Sequence, residues 1–100
     1  MNTIELTEPA LFRPGDRIVF HLTERARATV EILDGGGSVV RVLTDARYFP
    51  AGDARLRWDA LDDRGRPVPA GRYRVRVRAR ATYSSSKYFE KSVAFPLTLG

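Results

Sequence analysis

Apolar and polar residues alternate in short runs separated by clusters of Gly, Pro, Asp and Ser, and no stretch carries the three-to-four-residue repeat of an amphipathic helix. Side chains along a strand point to opposite faces in turn, so each run predicts a strand with one buried face. A short edge strand is expected at Ile4 to Thr7, ended by Pro9. After the turn Arg13-Pro14-Gly15-Asp16, the run from Arg17 to Thr23 turns Ile18, Phe20 and Leu22 inward. The next, Ala28 to Asp34, buries Val30 and Ile32 and stops at Gly35-Gly36-Gly37, which accept positive φ freely; Ser38 to Leu43 then returns as a hairpin partner.

Thr44 to Gly52 loses the alternation and reads as an irregular stretch that tucks Tyr48 and Phe49 under the sheet edge. Asp53 to Trp58 buries Ala54, Leu56 and Trp58, leaving Arg55 and Arg57 outside, and Asp59 to Gly71 reads as a connection across one end. From Arg72 to Tyr83 the pattern is strictest: Tyr73, Val75, Val77, Ala79 and Ala81 share one face, and Arg72, Arg74, Arg76, Arg78 and Arg80 the other. Ser84-Ser85-Ser86-Lys87 turns the chain, and Tyr88 to Leu99 closes it with Phe89, Val93, Phe95 and Leu97 inward and Pro96 marking an edge. The expectation is all-β: an immunoglobulin/fibronectin-III-like antiparallel β-sandwich of about seven or eight strands. One domain over residues 1–100 is expected, with a long C-terminal hairpin over 72–99.

Composition narrows the function. The 100 residues contain no cysteine, which excludes a disulfide framework and a thiolate metal site. No apolar run approaches the roughly 20 residues that cross a bilayer as a helix, and Met1-Asn2-Thr3-Ile4-Glu5 does not resemble a signal peptide. A cytoplasmic start and a module cut from a larger chain both stay open. The formal charge of +5 permits anionic partners without choosing among them; Lys87 and Lys91 are the only lysines among 17 basic residues.

Few residues could carry chemistry. His21 is the one histidine, placed on an outward face with no second ligand or nucleophile to serve, and the hydroxyls of Ser84, Ser85 and Ser86 have no base beside them, so neither catalysis nor a cofactor is expected. Asp59, Asp62 and Asp63 supply three carboxylates where calcium takes six to eight oxygens, and Asp in a turn commonly binds its own backbone. Trp58 reads as a core plug. The arginine row is the unusual feature: five guanidinium groups about 6.6 Å apart, along roughly 27 Å of one face. Acidic residues on neighbouring strands, Glu90 for instance, would neutralise part of it; what remains suits an acidic surface, either a protein neighbour or a polyanion, through arginine's bidentate fit to carboxylate or phosphate. Nucleic acid fits less well, since no aromatics alternate with the arginines for base stacking.

The stretch from Leu56 to Tyr73 holds Trp58-Asp59, a short acidic turn, Gly65, and Pro67-Val68-Pro69-Ala70-Gly71-Arg72-Tyr73 entering a strand. This pattern resembles the Ig-like domain family of the flagellar hook-capping protein FlgD and related modules of secreted bacterial proteins. Phe12-Arg13-Pro14-Gly15-Asp16 and Val30-Glu31-Ile32-Leu33-Asp34 extend the likeness in the same order, from Phe12 to about Ala81. Ala60 stands where that family often has Gly, which predicts a different turn after Trp58. The resemblance implies a non-catalytic structural or protein-interaction module of an extracellular or surface assembly, binding other subunits or domains, its own copies included. A second reading is a carbohydrate-binding accessory sandwich, since Asp62 to Tyr73 also looks like domains attached to glycogen- and starch-processing enzymes. That reading needs exposed aromatics, with Tyr48, Phe49, Tyr83 and Tyr88 available.

Overall fold

The structure is a computed structural model, and it describes residues 3–6, 11–82 and 90–100. These form seven strands: β1 (Ile4–Leu6), β2 (Arg17–Leu22), β3 (Ala26–Leu33), β4 (Val39–Phe49), β5 (Gly52–Arg57), β6 (Gly71–Ala81) and β7 (Glu90–Leu99). They pair into a three-stranded sheet, β1-β2-β5, and a four-stranded sheet, β4-β3-β6-β7, with every ladder antiparallel. This is the sandwich the alternation predicts. Between the sheets lie the inward residues of each run, among them Ile18, Phe20, Leu22, Val30, Ile32, Val75, Val77, Phe95 and Leu97, all buried.

One expectation fails. Thr44 to Phe49 is not irregular; it continues β4, which runs eleven residues against the eight of β3. The difference is taken up at three register shifts, between Ala28 and Val30, Val30 and Glu31, and Ile32 and Leu33. Each bulge adds a residue and reverses the phase of the alternation, which hides the strand from a period-two reading. Phe49 is buried as expected, edge-on to Phe20 with ring centroids 5.5 Å apart, whereas Tyr48 is 48% exposed. Tyr83, Tyr88 and the Ser84 to Lys87 turn lie outside the described residues.

Two turns at one end share one construction. The Asp34 Oδ1 accepts the N–H groups of Gly36 and Ser38, and the Asp34 carbonyl accepts that of Gly37, which sits at φ 86°. Asp62 does the same for Arg64, Arg66 and Gly65, the last at φ 79°. In both, the aspartate caps the turn and only the glycine takes the left-handed conformation without strain.

Both outer edges of the four-stranded sheet are partly covered. Phe12 donates its N–H to the Thr98 carbonyl and accepts from Gly100, so the β7 backbone there is already paired; Pro96, next along that edge, has no N–H to offer. On β4, Asp63 donates its N–H to the Val40 carbonyl, and its carboxylate accepts from the Val42 N–H. Covering of this kind discourages addition of a further strand.

Candidate functional site

The register of β6 against β3 places each arginine opposite a named residue: Arg74 faces Leu33, Arg76 Glu31, Arg78 Thr29 and Arg80 Arg27. Glu31, only 7% exposed, is the centre of this face. Its Oε1 accepts from Arg76 Nε at 3.2 Å and Nη2 at 3.0 Å, and from Arg78 Nη2 at 3.0 Å. The neutralising carboxylate therefore comes from β3. Glu90 stands opposite Arg80 in the β6–β7 ladder but makes no ion pair with it. A carboxylate out of water needs such partners, and two half-buried guanidinium groups supply them. The row is thus neutral in the middle and charged at the ends: Arg72, Arg74 and Arg80 have no ion pair or side-chain hydrogen bond among the described residues.

The same outer face carries apolar side chains. Pairing of β4 with β3 sets Val39 opposite Leu33, Val42 opposite Glu31 and Tyr48 opposite Arg27. Val39, Val42 and Tyr48, with Leu11, are the large hydrophobics that the described chain leaves exposed. Sequence reasoning missed this grouping because the bulges of β4 decide which of its residues face outward. It missed Glu31 too, although a lone carboxylate inside the apolar run Val30 to Leu33 is itself a signal of a buried ion pair.

The stretch from Trp58 to Tyr73 is built differently. The Trp58 ring is fully buried between Phe12 (centroids 5.7 Å) and Tyr73 (5.9 Å), and its Nε1 donates to the Leu61 carbonyl. Tyr73, near the start of β6, donates its hydroxyl to the Pro69 carbonyl four residues upstream, the tyrosine corner of immunoglobulin-type sandwiches. Burial raises the Tyr73 hydroxyl pKa above 10.0, with the Asp34 carboxylate adding to the effect, so this donor keeps its proton. Pro67 and Pro69 lie in the connection and Gly71 enters β6 at φ 146°.

A family profile fits this chain over residues 6–82: that of the FlgD Ig-like domain. The chain belongs to the FlgD Ig-like domain family. This is a structural, non-catalytic family of hook-related assembly modules. A search of curated proteins finds no match.

In this FlgD Ig-like domain the acidic loop is tied to its own backbone and to a cation. Asp59 Oδ1 accepts from the Leu61 N–H, Asp62 Oδ1 from Arg64 and Arg66, and Asp63 Oδ1 from Val42. The Arg41 guanidinium lies among them, 3.5 Å from Asp59 and 3.9 Å from Asp63, and donates to the Leu61 and Asp62 carbonyls. A cation of the protein's own thus lies beside two of the three carboxylates, while the Asp62 carboxylate turns to Arg66. Ala60 sits at φ 62°, so the turn after Trp58 holds a left-handed residue that carries a Cβ. His21 is not solitary: its Nδ1 lies 2.8 Å from Asp53 Oδ1, directly across the β2–β5 ladder. No helix of the described residues is long and apolar enough to cross a membrane.

Proposed function

We propose that this domain is a non-catalytic docking module of an extracellular or cell-surface assembly, and that it meets an acidic protein surface with the outer face of its four-stranded sheet. The observation that carries this reading is the coincidence on one face of Val39, Val42 and Tyr48 with the unpaired Arg72, Arg74 and Arg80. Exposed aromatic, aliphatic and arginine side chains sharing one face are the composition of protein interfaces. A nucleic acid fits worse: a phosphate chain would track an unbroken row, and this row is interrupted by Glu31. Docking by the face is favoured over strand addition, because Phe12 and Asp63 already engage the two sheet edges.

The carbohydrate reading loses support from Phe49, which packs against Phe20 in the core and presents no stacking surface.

The test is site-specific photo-crosslinking in the source cell, with the photoreactive residue placed at Val42 or Arg74, or at Arg57 on the opposite sheet. A discrete protein adduct is expected from the first two positions and not from Arg57, and it should weaken when Arg72, Arg74 and Arg80 are all changed to Gln. Equal adducts from both sheets, or adducts indifferent to the triple change, would overturn the reading.

A further inference from the structure

A cavity of about 280 Å³ opens on the outer face of the four-stranded sheet, lined by Arg27, Thr29, Ala46, Arg78, Arg80 and Glu90. A β4 bulge forms its wall. Ala46 takes φ 50°, a left-handed conformation unfavourable for a residue with a Cβ, and it is held there by its N–H to Thr29 Oγ1 and its carbonyl to Arg27 Nη1. Strain retained at a cavity wall points to a use for the shape.

The lining is rich in donors and poor in acceptors. Arg27 and Arg80 stand directly opposite each other, a like-charge pair that destabilises a sheet. Arg80 has no partner among the described residues, and Arg27 makes one long bond of 3.3 Å, to Ala46. Arg78 gives Nη2 to Glu31, but its Nε is shielded from solvent without an acceptor. An orphaned buried donor is uncommon and costs stability until it is satisfied. Among the described residues that line it, the cavity sets the single carboxylate of Glu90 against three guanidinium groups.

We propose that this cavity is the seat for one carboxylate side chain, Asp or Glu, of the protein that docks on this face; the proposal rests on the docking reading and names its anchor. An ionised carboxylate is acceptor-only, which complements a donor-rich lining, and placed between Arg27 and Arg80 it turns their repulsion into two attractions. Val42 and Tyr48 on the same face supply apolar contact to the residues flanking that side chain.

The test is an NMR titration of the ¹⁵N-labelled chain that follows the arginine Nε–H signals. The probes are acetyl-Leu-Glu-Leu-amide, its Gln counterpart and inorganic phosphate. The Glu peptide is expected to shift the Arg80 and Arg27 or Arg78 signals saturably, leaving Arg13 unmoved, and the Gln peptide to leave all of them in place. Arg80→Gln, an exposed change, should weaken the Glu peptide about tenfold, the cost of one charge-assisted hydrogen bond. Equal shifts from both peptides, phosphate binding as tightly as the Glu peptide, or no saturable shift would each overturn the seat. Peptide binding without adducts from Val42 keeps the seat and removes the docking face; adducts without peptide binding do the reverse.

Discussion

The Trp58 to Tyr73 stretch and the arginine face adjoin in the chain and are built on opposite principles. In the first, polar groups find partners a few residues away: Trp58 Nε1 with Leu61, Asp59 with Leu61, Asp62 with Arg64 and Arg66, Tyr73 with Pro69. On the second, charge exceeds partners: one carboxylate, Glu31, serves two guanidinium groups, and Arg72, Arg74 and Arg80 have none among the described residues. Residues satisfied from within hold the fold, which is why they carry the family pattern. Charges that the fold leaves unsatisfied mark where a partner's chemistry fits.

The largest effect should come from the satisfied region. Trp58→Ala removes a fully buried ring wedged between Phe12 and Tyr73, and is expected to cost about 3–5 kcal/mol, lowering the melting temperature by about 15 °C or more. Arg74→Gln, by contrast, should stay within about 0.5 kcal/mol of the parent, as surface changes usually do. If both substitutions move the thermal midpoint alike, the contrast between the two regions is gone.

A middle-sized effect belongs where the two principles meet, at Glu31. Glu31→Ala strands two partly exposed arginines and should cost about 1–3 kcal/mol, less than a fully buried pair because water still reaches the guanidinium groups. Replacing Glu31, Arg76 and Arg78 together by Val, which suits a strand, should return the unfolding free energy measured in urea to within about 1 kcal/mol of the parent. A triple variant no more stable than Glu31→Ala would mean that the charges, and not merely their mutual satisfaction, hold the sheet.

How far each region is legible in the sequence follows from the same contrast. Tyr73, Val75, Val77 and Ala79 announce β6 because nothing disturbs its alternation. β4 is hidden from Thr44 onward because the register shift between Thr44 and Arg47 changes the phase, and a bulge is fixed by groups on another strand, such as the Thr44 hydroxyl bonded to Val30 and Ala28. Asp62 and Gly65 read as a turn because their bonds span four residues at most. The Glu31 pairing spans 45 and 47 positions, and which of the five arginines it neutralises depends on register alone. The arginine face was therefore visible as a row, while its neutral centre, its apolar flank and the cavity beside Arg80 were not.

The smallest effect tests the locally satisfied turn through its charge. The Asp62 carboxyl is held below its ordinary 3.8, first by the Arg66 N–H it accepts, with desolvation opposing, then by the Arg64 N–H and the charges of Arg66 and Arg64. A group whose folded pKa lies below its unfolded one binds fewer protons when folded. Its contribution is complete above the unfolded pKa and is lost as pH falls through the folded value. Asp62→Asn keeps an oxygen able to accept both N–H bonds but has no proton to gain. The stability difference between parent and Asp62→Asn, followed by thermal melts, should be flat above about pH 5 and then turn against the parent as pH falls below 3.8. A difference unchanged down to about pH 2 would show that the two backbone bonds stabilise the turn without favouring the ionised form, and that its satisfaction owes nothing to charge.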